Sequence, residues 1–588
     1  VRGRKCLVLD PNISGPLSLV AEFSLLKDHG VEKMHYLQQG PLNTELRSVI
    51  YICRPSLQYM KYIAEHIRTH QLENSSSTAN GDQQKYEYNL FFVPRRTKIC
   101  ERVLEEAGIT LGEYHLDLIP FEDDLLSMEL ENTYKELYLD GDYTAIYYAA
   151  RALMRLQTLF GLFPRIIGKG DCAKHLADML LRMRKEVAID DPSPMLSTSQ
   201  NIDSLIIVDR SVDLITPLCT QLTYEGLIDE IFGIRNSFVE VDSSIVGPAQ
   251  TRSAADMNFA VVGGVLNKVA KRINEDYEGR HQARTVAQIR EFMNKLGGLQ
   301  SEHNSLKTHT GIAEEIMAHT VTPEFNKALE VQQNLVAGID IVTQNDYIEE
   351  MIGRQVPLVQ VLRLLCLQSL VNGGIKPKSF DFFKKEILQT YGFEHLQSLL
   401  NLERLNLFIK QVTTKNPYPP VRKTLRLIVD EVDEHNPQDI SYVYSGYAPL
   451  SVRLVQCVVT KGGPPALMNP LAAFGGGSVG NVGKTNGWKG YEEVLKLLPG
   501  KTFDEIQKLE GAIQAKKLIP GQQPRVTLVF FLGGCTYTEV AAIRFMAQQD
   551  EGQREFIIAT TQIINGNSLL DSVLQKVDHE ATSKSSAA

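Results

Sequence analysis

The chain has 588 residues, 43% of them hydrophobic and 22% charged, with a formal net charge of −9. That length suits about three to five units of roughly 100–200 residues, each with its own apolar core. A pI of about 5.9 lacks the large basic field of a nucleic-acid binder, so nucleic acid is not expected as a partner.

The chain opens with Val1 and enters a strand almost at once, Lys5–Leu9, as a chain trimmed at its N-terminus would. No signal peptide is read there. Leu17–His29 reads as a helix stopped by Gly30. Met34–Leu37 and Val49–Cys53 read as strands, and Ser56 caps a helix to about His70. Asn89–Val93 is a strand, Lys98–Ala107 a helix and His115–Ile119 a strand. Such alternation implies a mainly parallel sheet covered by helices. Ala145–Phe160 and Asp171–Lys185 follow as helices, then the apolar strand Leu205–Val208, ending in Asp209–Arg210.

From Asn258 to Leu407 the pattern is almost wholly helical. Val286, Ile289, Met293 and Leu296 share one face, and Gly297–Gly298 is expected to break that helix before a return helix with Leu306, Ala313, Ile316 and Met317. Thr322–Pro323–Glu324 reads as a cap, a first-turn proline and a first-turn acid. Val359–Val371 is a strongly apolar helix closed by Gly373–Gly374. Leu467–Gly490 is Gly-rich, aperiodic and reads as a mobile loop. Val526–Leu532 and Phe556–Ala559 return to buried strands, around a helix near Thr538–Gln548.

The fold class expected is therefore α/β, with two parallel-sheet domains and a large helical insertion. The boundaries read are 1–118 for the first α/β domain and 119–236 for the first part of the second. The insertion is 237–438. Residues 439–588 complete the second domain, with a flexible loop at 460–490.

Nothing proposes a reaction. The eight cysteines are spread with no CxxC pair, so they read as small buried hydrophobes in a reducing compartment. No metal and no cofactor are expected. No apolar run of ~18 residues suggests a membrane span. Gly483–Lys484–Thr485 tempts a P-loop reading, but five residues before Gly483 stands Ser478 rather than glycine, and no strand precedes. A nucleotide-dependent enzyme using Lys484 is the alternative kept open. His66 and His70 have i, i+4 spacing, but Ile67 stands where a zinc HExxH needs glutamate. They read as two solvated histidines.

Ser204–Ile234 reads SLIIVDRSVDLITPLCTQLTYEGLIDEIFGI. It resembles the signature of the Sec/Munc (SM) family. The matching positions are Asp209, Arg210, Asp213, Thr216, Pro217, Leu222, Thr223, Tyr224 and Asp229. These look architectural: a strand end, a rigid turn and a helix cap. FFVPRR at Phe91–Arg96, SYVYSGYAPLSVR at Ser441–Arg453 and VFFLGG at Val529–Gly534 look like the family's vacuolar protein sorting thirty-three branch, especially its animal "A" form.

The resemblance implies an arch-shaped, non-enzymatic chaperone of SNARE helices that acts in endosome and lysosome membrane fusion. It implies membership of the HOPS and CORVET tethering complexes. The location implied is cytoplasmic, peripheral on late endosome and lysosome membranes, with membrane contact only through partners. The partners implied are R- and Qa-type SNAREs, assembled SNARE bundles and a helical-solenoid tether subunit. A hairpin around Ala283–His319, with the first domain facing it, would hold the SNAREs. Arg290, Met293, Leu306, His309, Ile312, Ile316 and Leu335 are the groove residues expected. Lys410, Tyr418 and Val421 are the expected tether contact. A purely structural tether subunit without SNARE affinity is the other alternative.

Overall fold

The computed structural model describes residues 3–76, 86–105, 107–190, 197–239, 256–282, 286–339, 341–412, 416–460, 487–507, 525–550 and 554–575; side chains at 73–76, 188–190, 274–297 and 341–342 are outside the description. The chain divides into two compact units. One is 1–129 with 235–238; the other is 130–234 with 239–588.

The first unit is built on five parallel strands, β1 (Lys5–Leu9), β2 (Val31–Tyr36), β3 (Ser48–Cys53), β4 (Glu87–Phe92) and β5 (Thr110–Glu113). Their order is β2-β1-β3-β4-β5. Alternate residues of β1 feed two cores. Cys6 and Val8 pack with Met60, Ile63 and Ile67 of helix Leu57–Ser76, while Leu7 and Leu9 pack with Ile13 and Leu17 of helix Pro11–Val20. Burial on both faces explains why β1 and β3 read as apolar runs. A hairpin, β6 (Ile119–Pro120) and β7 (Leu125–Ser127), ends this unit's first segment.

Three expectations here are corrected. The helix expected at Leu17–His29 is two helices, Pro11–Val20 and Phe23–Asp28, parted by the extended backbone of Ala21. The last sheet strand is Thr110–Glu113 instead of His115–Ile119. His66 and His70 are buried, not solvated. The Nε2 of His70 lies 2.7 Å from the Leu42 carbonyl, and its Nδ1 lies 3.0 Å from the Tyr88 hydroxyl. The His66 Nε2 faces the Gln38 carbonyl at 3.2 Å. The pair staples helix Leu57–Ser76 to the loop after β2 (37–47) and to the sheet.

In the second unit, β8 (Arg165–Lys169), β9 (Ile202–Asp209), β13 (Arg525–Leu532) and β14 (Arg554–Thr560) are parallel neighbours in that order. The short strands β10 (Ile234–Arg235) and β11 (Phe238–Val239) intervene in sequence, and β12 (Thr502–Ile506) lies antiparallel on β8. The C-terminal segment thus supplies the strand beside β9, more than 300 residues away in sequence, as the expected insertion requires. Between them runs a helical stretch. Helix Leu358–Asn372 is its axle, with Val361, Leu362, Leu365, Cys366 and Leu367 essentially inaccessible. A helix apolar around most of its circumference belongs in such a position. All eight cysteines are free and buried. No helix among the described residues is long and apolar enough to cross a membrane.

Gly297–Gly298 does not break its helix, which runs without interruption over Val286–Thr320. A helical glycine costs about 1 kcal/mol against alanine, an amount that a long helix absorbs. The hairpin is instead formed by Phe259–Gln282 and Val286–Thr320.

Burial holds the His66 imidazole below its ordinary value of 6.5, partly opposed by the Gln38 carbonyl. The unfolded chain therefore takes up a proton at a higher pH than the folded chain does. Stability is expected to fall as pH drops below about 6.5. The thermal midpoint should fall between pH 7.5 and 5.5, and His66→Gln should shrink that drop. An unchanged pH response in the variant would remove His66 from this role.

Candidate partner-binding site

The signature residues converge at the carboxyl ends of β9 and β13. Asp209 ends β9. One of its carboxylate oxygens accepts from the Cys172 and Ala173 amides at 2.9 and 3.2 Å, at the start of helix Asp171–Asp190. The other accepts from the Tyr138 hydroxyl at 2.6 Å and the Ser211 amide at 3.0 Å. This close approach depends on Gly170, where φ is +119° and a Cβ would lie 2.1 Å from that of Asp209.

Arg210 is fully buried. Its Nη1 donates to both carboxylate oxygens of Glu539, at 3.0 and 2.9 Å, and its Nε to the Asp213 carbonyl at 2.8 Å. Burial works against the charge, but the carboxylates of Glu539 and Asp213 outweigh it and hold the guanidinium protonated. Gly533 lets the next turn pass over it; a Cβ there would meet that of Arg210 at 2.8 Å. Glu539 also closes a capping box with Thr536 and accepts from the Ser451 hydroxyl. The Asp213 carboxylate accepts from the amides of Thr216 and Ser451 at 3.0 and 2.8 Å. Pro217 lies in the short helix Ile215–Leu218 instead of a simple turn.

Thr223 caps helix Tyr224–Ile231 by accepting from the Gly226 amide. Asp229, on that helix, accepts from Gln221, Ile234 and Asn565. Burial pushes its carboxyl up to about 6. The carboxylates among these groups are all hydrogen-bonded within the protein, and Arg210 Nη2 alone lacks a hydrogen bond, facing the Asp213 carboxylate at 3.5 Å. They form cement between segments distant in sequence, with no nucleophile–base pair in an open cleft. No cluster suited to a metal ion occurs among the described residues.

Tyr224 carries this cement to the hairpin. Its hydroxyl lies 3.0 Å from Nδ1 of His309, whose imidazole burial holds below its ordinary value. Tyr224, Leu227, Ile228 and Val262 pack with Ile312 and Ile316. Ile312, Ile316 and, on the next helix, Leu335 are therefore core residues, and the expectation that they line an open groove is corrected. Leu306 and His309 are half-buried. Arg290 and Met293 lie on the same helix, but their side chains are outside the described residues.

The exposed stripe of that helix lies on the other side. His303, Lys307, Thr310, Glu314 and Met317, with Val321 just beyond, face solvent at alternating spacings of four and three. Met317 and Val321 are 52% and 66% exposed. The sequence reading missed this stripe because apolar content, not exposure, selected the candidates.

The expected tether contact also divides. Tyr418 and Val421 are buried, and the Tyr418 hydroxyl donates to the Val336 carbonyl at 2.9 Å. They brace helix Tyr418–Thr424 from beneath. Lys410 is at the surface, 2.6 Å from Asp381 and over the Phe380 ring, and Val412 beyond it is exposed. Lys484 and most of the Gly-rich loop lie outside the described residues.

A sheet completed from both chain ends, a helical stretch between them and this buried signature define one class: the chain belongs to the Sec1 family, whose profile matches residues 5–572. Among its relatives, vacuolar protein sorting-associated protein 33A of Rattus norvegicus is 44% identical over 98% of this chain and 94% of that protein. The Arabidopsis thaliana homolog of vacuolar protein-sorting-associated protein 33 is 36% identical over 98% and 95%, and the Homo sapiens 33B protein 31% over 97% and 94%. The fold is shared with the SM protein Vps45 in complex with the Qa SNARE Tlg2, at TM-score 0.57 and 16% identity over 97% of this chain and 94% of that one. It is shared also with Unc18 of the Monosiga brevicollis Unc18–syntaxin 1 complex, at 0.55 and 15% over 97% and 95%.

Removing one partner of the Arg210–Glu539 pair leaves an uncompensated buried charge, which costs about 3–5 kcal/mol. Arg210→Leu and Glu539→Leu should each lower the urea midpoint strongly. The double variant should lose less than the two losses added. Additive losses would show that the pair is not coupled.

Proposed function

We propose that this chain is an SM-type chaperone that binds SNARE helices and templates their assembly for endosome and lysosome fusion, as a subunit of a HOPS or CORVET tether. The relationship along almost the whole chain to vacuolar sorting proteins supports the setting. Fold neighbours captured with a Qa SNARE and with syntaxin 1 support the ligand class. The observation that carries the site is the 4-3 spacing of the hairpin's exposed stripe. Helices that pair along a seam repeat their contacts every 3.5 residues, so a SNARE helix has matching register. Isolated helix-forming segments pay ordering entropy when they fold, and a rigid template lowers that cost before further helices join. Binding alone performs this work, and no covalent step is required of any residue.

The other expected residues keep a role in this reading. Ile312, Ile316 and Leu335 hold the hairpin's base, Tyr224 and His309 fix its direction, and Arg290, Met293 and Leu306 extend the contact. R- and Qa-type motifs are the ligands. The helical-solenoid tether subunit docks at Lys410 and Val412, on the turn that Tyr418 and Val421 brace.

Met317→Asp with Val321→Asp should weaken binding of single R- and Qa-SNARE motifs at least about tenfold, a loss of about 1.4 kcal/mol, with an unchanged circular dichroism spectrum. Unaltered affinity would remove the stripe from the site. Failure of the unmutated chain to bind any SNARE, with the tether subunit present, would leave a purely structural subunit. Lys410→Asp should weaken tether-subunit binding in pull-downs while leaving SNARE affinity as it is. Loss of both together would indicate misfolding instead of a docking defect.

A further inference from the structure

A second exposed stripe lies away from the hairpin and is independent of the SNARE reading. Helix Leu396–Arg404 buries Ser398, Leu399 and Leu402. Its outer side presents Leu396, Leu400 and Arg404 at i, i+4 and i+8, and Phe393 stands one turn earlier, 74% exposed. The ridge is roughly 16 Å long at 1.5 Å per residue. Phe393, Leu396 and Leu400, 74%, 40% and 37% exposed, form an apolar row that ends in a cation.

The cationic end opens into a cleft of about 320 Å³. Arg404 and Lys135 line it, and neither has an ion-pair partner among the described residues. Among the described residues, Asp140 is the single acid that lines it. The cleft's floor is fixed. Asn401 Nδ2 donates to the Val573 carbonyl at 2.9 Å, and the Gln575 amide donates to Ser398 Oγ at 3.0 Å. Lys384 pairs with Glu403 at 2.5 Å and ties the helix to its neighbour Pro377–Tyr391. The ridge is therefore held rigid, which reduces the ordering cost of docking.

We propose that this ridge docks an amphipathic helix of a partner protein. Its apolar side chains at i, i+3 and i+7 cover Phe393, Leu396 and Leu400, and an acidic side chain about one turn later enters the cleft between Arg404 and Lys135. Apolar spacing selects a helix over an extended strand. Charge complementarity sets its direction along the ridge, because only one orientation brings the carboxylate to the two cations.

The probe is a fluorescein-labelled model helix with leucines at i, i+3 and i+7 and glutamate at i+11, titrated with the full chain by fluorescence anisotropy. A second probe carries lysine in place of the glutamate. The glutamate probe is expected to bind at least about tenfold more tightly than the lysine probe. Arg404→Glu with Lys135→Glu should reverse that preference, and Leu396→Asp with Leu400→Asp should abolish binding of both. No binding of the glutamate probe, or no reversal by the charge swap in a chain with an unchanged circular dichroism spectrum, overturns the proposal. Binding of anionic lipid vesicles that Phe393→Asp abolishes would make the ridge a membrane contact and overturn it also. So would self-association by light scattering that the Leu396→Asp, Leu400→Asp variant removes.

Discussion

Arg210 and Glu539 stand 329 residues apart, and their side chains meet where neither is accessible to solvent. A guanidinium in that position needs every proton directed at an acceptor, because an unpaired buried charge costs several kcal/mol. Glu539, the Gly534 carbonyl and the Asp213 carbonyl take up Nη1 and Nε, while Nη2 lies 3.5 Å from the Asp213 carboxylate and is held by charge alone, without a hydrogen bond. Those acceptors come from both sides of the helical stretch. The chain can insert hundreds of residues between β9 and β13 because this polar knot, together with the parallel pairing of the two strands, brings the ends back into one register.

The hairpin inherits its placement from the same knot. Asp213, Thr216 and Thr223 set the turn and cap that launch helix Tyr224–Ile231, and Tyr224 meets His309 and the hairpin core. A long helix anchored at one point by packing and polar contact offers its outer stripe as a fixed surface. That is the property a template needs: it orders flexible ligands without being reordered itself. The signature residues thus act through position: each is buried among protein partners and fixes where the hairpin starts.

The sequence was legible where burial is two-sided. KCLVL, LIIV and VTLVFFL carry the strands of both sheets, and the Thr322–Pro323–Glu324 cap starts helix Pro323–Ala337 as read. It was illegible where a partner distant in sequence decides. β8 and β12 escaped because RIIGK is short and TFDEI is a half-exposed edge strand. His66 and His70 read as solvated because their carbonyl partners lie 28 residues upstream. Ile312, Ile316 and Tyr418 read as surface anchors because nothing local shows that Tyr224 and helix Pro323–Ala337 cover them. Helical periodicity reveals an apolar face but cannot tell whether the fold has already filled it.

SNARE helices bound along the exposed stripe of helix Val286–Thr320, as proposed, would shield its backbone. Hydrogen–deuterium exchange of the full chain, with and without a saturating Qa-SNARE motif, tests it most directly. Slowed exchange is expected in peptides spanning residues 298–321, with the peptides around Arg210 and Glu539 unchanged. Saturated binding with no protection anywhere in 298–321 would contradict it.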